Sequence, residues 1–114
     1  MIQQGDVFWI DLGGPKGRGL AYRHPYVVVQ GNPFNQSKIG TVVVCGLTSN
    51  LKRAQIPGNV LLKKGEANLP KDSVAIVTQL YTTDRNYLSE RIGILSTDRV
   101  EQIINGIKTV LNAE

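Results

Sequence analysis

Apolar and β-branched residues in this chain fall mostly into short runs separated by turn residues. Val7-Phe8-Trp9-Ile10-Asp11-Leu12 reads as a first strand, rich in aromatic and branched side chains. A glycine-dense stretch, Gly13 to Gly19, follows it. Tyr26–Gln30 predicts a second strand, with Pro25 at its first position, where a missing N–H is tolerated. A polar connection from Gly31 to Gly40 leads to a third strand over Thr41–Thr48. The unbroken valine runs in strands two and three predict burial on both faces. Pro57-Gly58 marks a turn before a strand at Asn59–Leu62, and Ser73–Thr83 predicts a longer one. Asp84-Arg85-Asn86 reads as a turn and Arg91–Leu95 as a short strand. The period then changes. Asp98, with Glu101 three positions on, fits a helix N-cap and its capping-box partner. Val100, Ile103, Ile104, Ile107, Val110 and Leu111 recur at helical spacing along one face. The pattern predicts a single domain over residues 1–114, mostly β (α+β): an antiparallel β-barrel closed by a C-terminal amphipathic helix.

Composition narrows the class. The chain has 114 residues, 41% hydrophobic and 19% charged, enough to bury a core and too apolar for a disordered tail. No apolar run approaches the ~20 residues of a membrane helix. The opening Met1–Asp6 lacks the basic and apolar regions of a signal peptide, so a soluble, cytoplasmic protein without a membrane partner is expected. One cysteine and one histidine, Cys45 and His24, can build neither a disulfide nor a zinc site, and the nine acids are scattered. No metal or other cofactor is expected. The net charge is +4, but unevenly spread: residues 1–64 carry eight basic side chains against two acidic ones, a net of +6. That asymmetry points to a polyanion, with ordinary solubilising charge as the plainer reading.

Several site types drop out. The glycine stretch is not followed by Lys-Ser/Thr at a helix start, so it is no P-loop, and it does not fit the dinucleotide fingerprint. Asn35-Gln36-Ser37 fits a glycosylation pattern but has no export signal to go with it. Cys45, Phe8 and Trp9 read as packing. One relation remains. If strands two and three form an antiparallel hairpin with Gln30 opposite Thr41, Arg23 falls opposite Thr48, although a ten-residue loop does not fix register. A guanidinium, the only imidazole and a hydroxyl would then meet beside the basic loop. That set suits phosphate chemistry: Arg offers a planar fork of donors, and a Thr hydroxyl donates to an oxygen gaining charge. An RNA substrate brings its own 2′-hydroxyl nucleophile. Solvated charge for Arg23 and a backbone-bonded hydroxyl for Thr48 are the plainer alternatives.

These residues sit in segments that resemble the MazF/PemK toxins, the mRNA interferases of type II toxin–antitoxin systems. The segments are Gly5–Leu12, Arg23–Gln30, Phe34-Asn35, Val42–Asn50, Pro57–Val60, Leu69–Val74, Gln79, Asp84-Arg85 and Arg91–Gly93, in order over the chain. The resemblance implies an SH3-like barrel of the CcdB/MazF type, a homodimer, and metal-independent, ribosome-independent cleavage of single-stranded RNA at short sequences, leaving 2′,3′-cyclic phosphate and 5′-hydroxyl ends. It implies a MazE-like antitoxin partner with an acidic, flexible C-terminal segment. Of the family's two central residues, Thr48 matches the Thr. Many members place the Arg immediately before the proline, where this chain has His24, with Arg23 one position earlier. The catalytic set expected is therefore Arg23, Thr48 and His24, with His24 a neighbour or a general acid/base. Lys16, Arg18, Tyr22, Ser49, Gln79 and Arg85 are expected to contact RNA. Many members carry Gly-Ser-Glu in the loop where this chain has Gly17-Arg18-Gly19, so the loop carboxylate is missing. A CcdB-like toxin that acts by binding gyrase, without chemistry, is the competing reading, because fold alone does not separate the two. A non-catalytic nucleic-acid-binding barrel is a third.

Overall fold

Branched and aromatic residues at alternating positions build six strands, and the computed structural model describes them over residues 1–11 and 23–112. In chain order they are β1 (Asp6–Asp11), β2 (Arg23–Val28), β3 (Thr41–Thr48), β4 (Val60–Leu62), β5 (Ser73–Asp84) and β6 (Glu90–Ile94). A one-turn helix α1 (Asn32–Asn35) lies in the polar connection between β2 and β3, and α2 (Thr97–Val110) ends the fold. All pairings are antiparallel, in the order β4-β5-β3-β2-β1-β6. The sheet curls into a half-barrel rather than closing by a sixth ladder. The gap between its edges is bridged by the turn at Glu66–Asn68, where Asn68 Nδ2 donates to the Ile92 carbonyl at 3.1 Å. Among the described residues no helix is long and apolar enough to cross a membrane.

The valine runs are buried on both faces, as their continuity predicted. Val7, Val27, Cys45, Leu47, Ala75 and Val77 pack with Leu95 and Ile103 beneath α2. Phe8, Ile10, Val28, Val42 and Val44 form a second core on the other face. Ile103 of α2 is fully buried, which contributes about 1.5–3 kcal/mol. The helix can approach this closely because a side chain at Gly106 would collide with the Gly58 carbonyl, and Gly58 itself turns at φ +92°. The apolar stripe is narrower than expected, since Val110 and Leu111 are exposed. The helix also starts earlier: Ser96, not Asp98, is the N-cap, its Oγ accepting from the Arg99 N–H at 3.2 Å. Asp98 lies in the first turn, where a carboxylate suits the helix dipole.

Two differences in β2 shape the site. The strand begins at Arg23, not at Tyr26, because β1 recruits it: Trp9 pairs with Pro25, Ile10 with His24 and Asp11 with Arg23. Pro25 is therefore inside the strand, yet the β2–β3 ladder starts only at Tyr26–Gly46, so its missing N–H interrupts nothing on that side. The β2–β3 register is also one residue away from the alignment expected. Tyr26 opposes Gly46, Val27 opposes Cys45 and Val28 opposes Val44. Extended to the strand ends, that register brings His24, rather than Arg23, opposite Thr48.

Candidate active site

Beyond Tyr26–Gly46 the ladder between β2 and β3 stops, and the splayed ends leave room for a cavity. It measures about 410 Å³ and is lined by Trp9, Arg23, His24, Thr48, Ser49, Lys71 and Ser73 among others. A smaller one of about 210 Å³, with Tyr26, Arg53, Gln79 and Tyr81, lies on the other side of the strand end. The two share His24, Leu47 and Thr48. His24 and Thr48 thus stand on a ridge between two recesses, each with an aromatic wall.

Thr48 is fixed by local backbone chemistry. Its Oγ1 accepts from the Asn50 N–H at 3.2 Å, and Asn50 Oδ1 accepts from the Lys52 N–H at 3.2 Å, capping the turn at Leu51–Gln55. The backbone-bonded reading of Thr48 is therefore correct as far as it goes. It uses one lone pair, and the hydroxyl keeps its proton to donate. Arg23 leans over the Trp9 ring, with its guanidinium carbon 5.3 Å from the centroid, and Nη2 donates to Glu90 Oε2 at 2.7 Å. Trp9 is accordingly half-buried and part of the site rather than core, whereas Phe8 is buried.

Across the ridge, Tyr26 and Tyr81 meet edge to face with centroids 5.7 Å apart. Burial, with smaller contributions from Tyr81 and Asp11, holds the Tyr26 phenol above its ordinary range, so it stays a neutral O–H donor. Gly46 lets the Gln79 side chain cross here, since a Cβ would come within 3.2 Å of Gln79 Oε1. Cys45 plays no part in the chemistry: burial pushes its thiol up to about 12, and it donates to the Ile76 carbonyl at 3.1 Å.

Of the residues expected at the site, Arg23, His24, Thr48 and Ser49 line the larger cavity, and His24, Thr48 and Gln79 the smaller. Arg85 does not join them. Its Nε donates to the Ile39 carbonyl at 3.1 Å, and it lines a separate cavity with Asp6, Phe8 and Arg91. Lys16, Arg18 and Tyr22 lie outside the described residues. Three charged residues were not foreseen: Lys71 and Arg53, which line the cavities, and Glu90, which pairs with Arg23. Lys71 arrives because Thr48 pairs with Val74 across a bulge in the β3–β5 ladder, a shift that no periodicity reveals. Among the described residues no group of three or more His, Cys, Asp or Glu side chains is gathered to hold a metal ion.

A groove beside α2, about 580 Å³, is lined by Lys63, Arg99, Gln102 and Asn105 among others, but Arg99 is already engaged by Glu66 at 2.8 Å. Among the described residues its one hydroxyl side chain, Thr109, donates to the Asn105 carbonyl at 3.1 Å, and no imidazole lines it. The imidazole, with a guanidinium and a hydroxyl beside it, stands instead at the β2 and β3 ends.

Known proteins resemble this chain along nearly its whole length. The sequence matches the PemK-like, MazF-like toxins of type II toxin–antitoxin systems over residues 3–111. It is 36% identical to the endoribonuclease MazF6 of Mycobacterium tuberculosis over 112 residues, 98% of each chain. It is 33% identical to the endoribonuclease MazF of Staphylococcus saprophyticus, over 94% of this chain and 88% of that one. The fold superposes with a TM-score of 0.80 on a mycobacterial endoribonuclease solved with its cognate antitoxin, at 22% identity, covering 100% of this chain and 98% of the other. With near end-to-end matches in both sequence and fold, the chain belongs to the PemK-like, MazF-like toxin family of type II toxin–antitoxin systems.

Proposed function

We propose that this endoribonuclease toxin cleaves single-stranded RNA at short specific sequences by metal-independent transesterification at the His24–Thr48 ridge. The observation that carries the reading is the convergence of a guanidinium, an imidazole and a hydroxyl on one cavity at the splayed end of β2 and β3. The substrate's 2′-oxygen attacks the neighbouring phosphorus while the bond from phosphorus to the 5′-oxygen breaks. The 2′-hydroxyl proton leaves to a base and the departing 5′-oxygen gains a proton, so the products are a 2′,3′-cyclic phosphate and a 5′-hydroxyl. His24, the only imidazole in the chain, is suited to that proton movement. Thr48 Oγ1 donates to a non-bridging oxygen as negative charge builds, and Arg23 supplies a charge that persists at any working pH. Lys71, Arg53, Ser49 and Gln79 line the recesses on either side, where neighbouring nucleotides would lie, and Tyr81 and Trp9 offer faces for base stacking. Lys16, Arg18 and Tyr22 extend the same contact in this reading, and the missing loop carboxylate leaves His24 as the proton carrier.

A homodimer and a MazE-like antitoxin complete the proposal. The net +6 of residues 1–64 suits an acidic, flexible segment that occupies the RNA groove and folds as it binds. The test is incubation of the purified protein with a long single-stranded RNA in excess EDTA, with both fragment ends mapped. Recurrent cuts leaving 5′-hydroxyl and cyclic phosphate ends are expected. Cleavage lost on chelation and restored by Mg²⁺ would overturn the metal-free mechanism. Absence of cleavage under all conditions would overturn the catalytic role.

A further inference from the structure

Arg23 reaches its position in an unusual way. Its strand, β2, lies on one side of β1, and Glu90 on β6 lies on the other. Trp9 on β1 pairs with Pro25 on the β2 side and with Glu90 on the β6 side. The Arg23 side chain therefore crosses over the indole and meets the Glu90 carboxylate at 2.7 Å. Both partners are more than half exposed, so the pair adds little to stability. Its effect is on direction. A free arginine on a strand end samples many rotamers, and ordering it on a phosphate costs about 2 kcal/mol of side-chain entropy. Stacking on Trp9 from below and one bond to Glu90 at the tip remove most of that freedom beforehand. A guanidinium carries five N–H donors, and the one used here leaves others to face the cavity.

We infer that Glu90 is a positioning residue: with Trp9 it holds the Arg23 guanidinium extended over the indole so that its free N–H groups meet the scissile phosphate. The inference rests on the proposed role of Arg23. A carboxylate so near an incoming phosphodiester weakens ground-state attraction while sharpening orientation, so its benefit lies in turnover rather than in binding. The alternative, that Glu90 merely competes with RNA for Arg23, makes the opposite prediction.

Single-turnover cleavage is measured for wild type, Glu90→Ala, Glu90→Gln, Arg23→Ala and the Arg23→Ala/Glu90→Ala double variant. The emission of Trp9, the only tryptophan, is recorded without RNA. Glu90→Ala is expected to lower kcat about tenfold without raising KM, as loss of preset geometry does. The same change in the Arg23→Ala background should have no effect. The Glu90→Ala emission spectrum should move from that of wild type to that of Arg23→Ala, with Glu90→Gln between. An unchanged or higher kcat, an equal loss in the Arg23→Ala background, or an unmoved Trp9 spectrum would each overturn the inference. Inactivity of the wild type would overturn the proposed function instead, while the fluorescence arm would still decide whether Glu90 holds Arg23.

Discussion

Neighbouring residues on β6 make ion pairs of opposite character. Glu90 pairs with Arg23 at 2.7 Å, and the two side chains are 58% and 53% exposed. Arg91 pairs with Asp6 at 3.0 Å, and the Asp6 side chain is only 2% exposed. The Asp6 carboxylate also accepts the Gln3 N–H at 2.9 Å, tying the start of β1 to the edge of the sheet. Water screens the first pair, so breaking it changes where a charge points and little else. The second pair neutralises a carboxylate that cannot regain its hydration, so breaking it leaves a buried charge exposed to its full desolvation cost. Similar distances conceal different environments. Burial, more than geometry, separates a charge that the proposed mechanism can use from a charge that holds the fold.

The largest effects that could break this division are at the ridge. Thr48→Ala and His24→Gln are each expected to lower the cleavage rate by roughly 10²-fold, the usual cost of losing a transition-state donor or a proton carrier. Thermal melts should be nearly those of the wild type, since both side chains line a cavity rather than fill a core. Near-normal rates in either variant would remove that residue from the mechanism.

The smallest effect sharpens the comparison with an intermediate case. Glu66 and Arg99 pair at 2.8 Å with about a quarter of each side chain exposed. The Arg99 hydrogen bond holds the Glu66 carboxyl below its ordinary value. A carboxylate depressed on folding contributes stability above its unfolded-state pKa, roughly 4.3, and loses it as the pH falls through the folded value. Glu66→Gln should therefore be less stable than wild type at neutral pH, by no more than about 1 kcal/mol given its exposure. Denaturant titrations of the two should converge as the pH falls through the folded-state value. A gap that persisted in acid would assign the effect to packing rather than charge.

The sequence exposed some of this and hid the rest for identifiable reasons. Strand β3 is legible to the residue because Val42 and Val44 are buried on one face, Cys45 and Leu47 on the other, and its ends carry threonines. The start of β2 is not, because Arg23, His24 and Pro25 have no strand-like pattern and are drawn in by pairing with β1. The strand-end place of Thr48 is legible in the sequence, but the residue opposite it is not: the register differs by one, which sets His24 there rather than Arg23. No side-chain pattern in a ten-residue connection specifies register. The capping residue was missed because Ser96 and Asp98 are both good N-caps, and only the backbone decides between them. The places of Glu90, Lys71 and Arg53 beside the candidate site are not legible in the sequence. Each reaches the cavities or Arg23 through long-range pairing or turn geometry rather than through any local motif.

The most direct test sets Arg23→Ala beside Arg91→Ala, with cleavage per folded molecule and unfolding free energy measured on the same preparations. Arg23→Ala should lose about 10²-fold in cleavage while keeping its stability, because only an exposed pair is broken. Arg91→Ala should lose roughly 2–3 kcal/mol while its folded fraction cleaves at the wild-type rate, because Asp6 is left buried without its cation. If Arg23→Ala unfolded more easily than Arg91→Ala, or if Arg91→Ala lost cleavage while folded, the division between site charge and fold charge would be wrong.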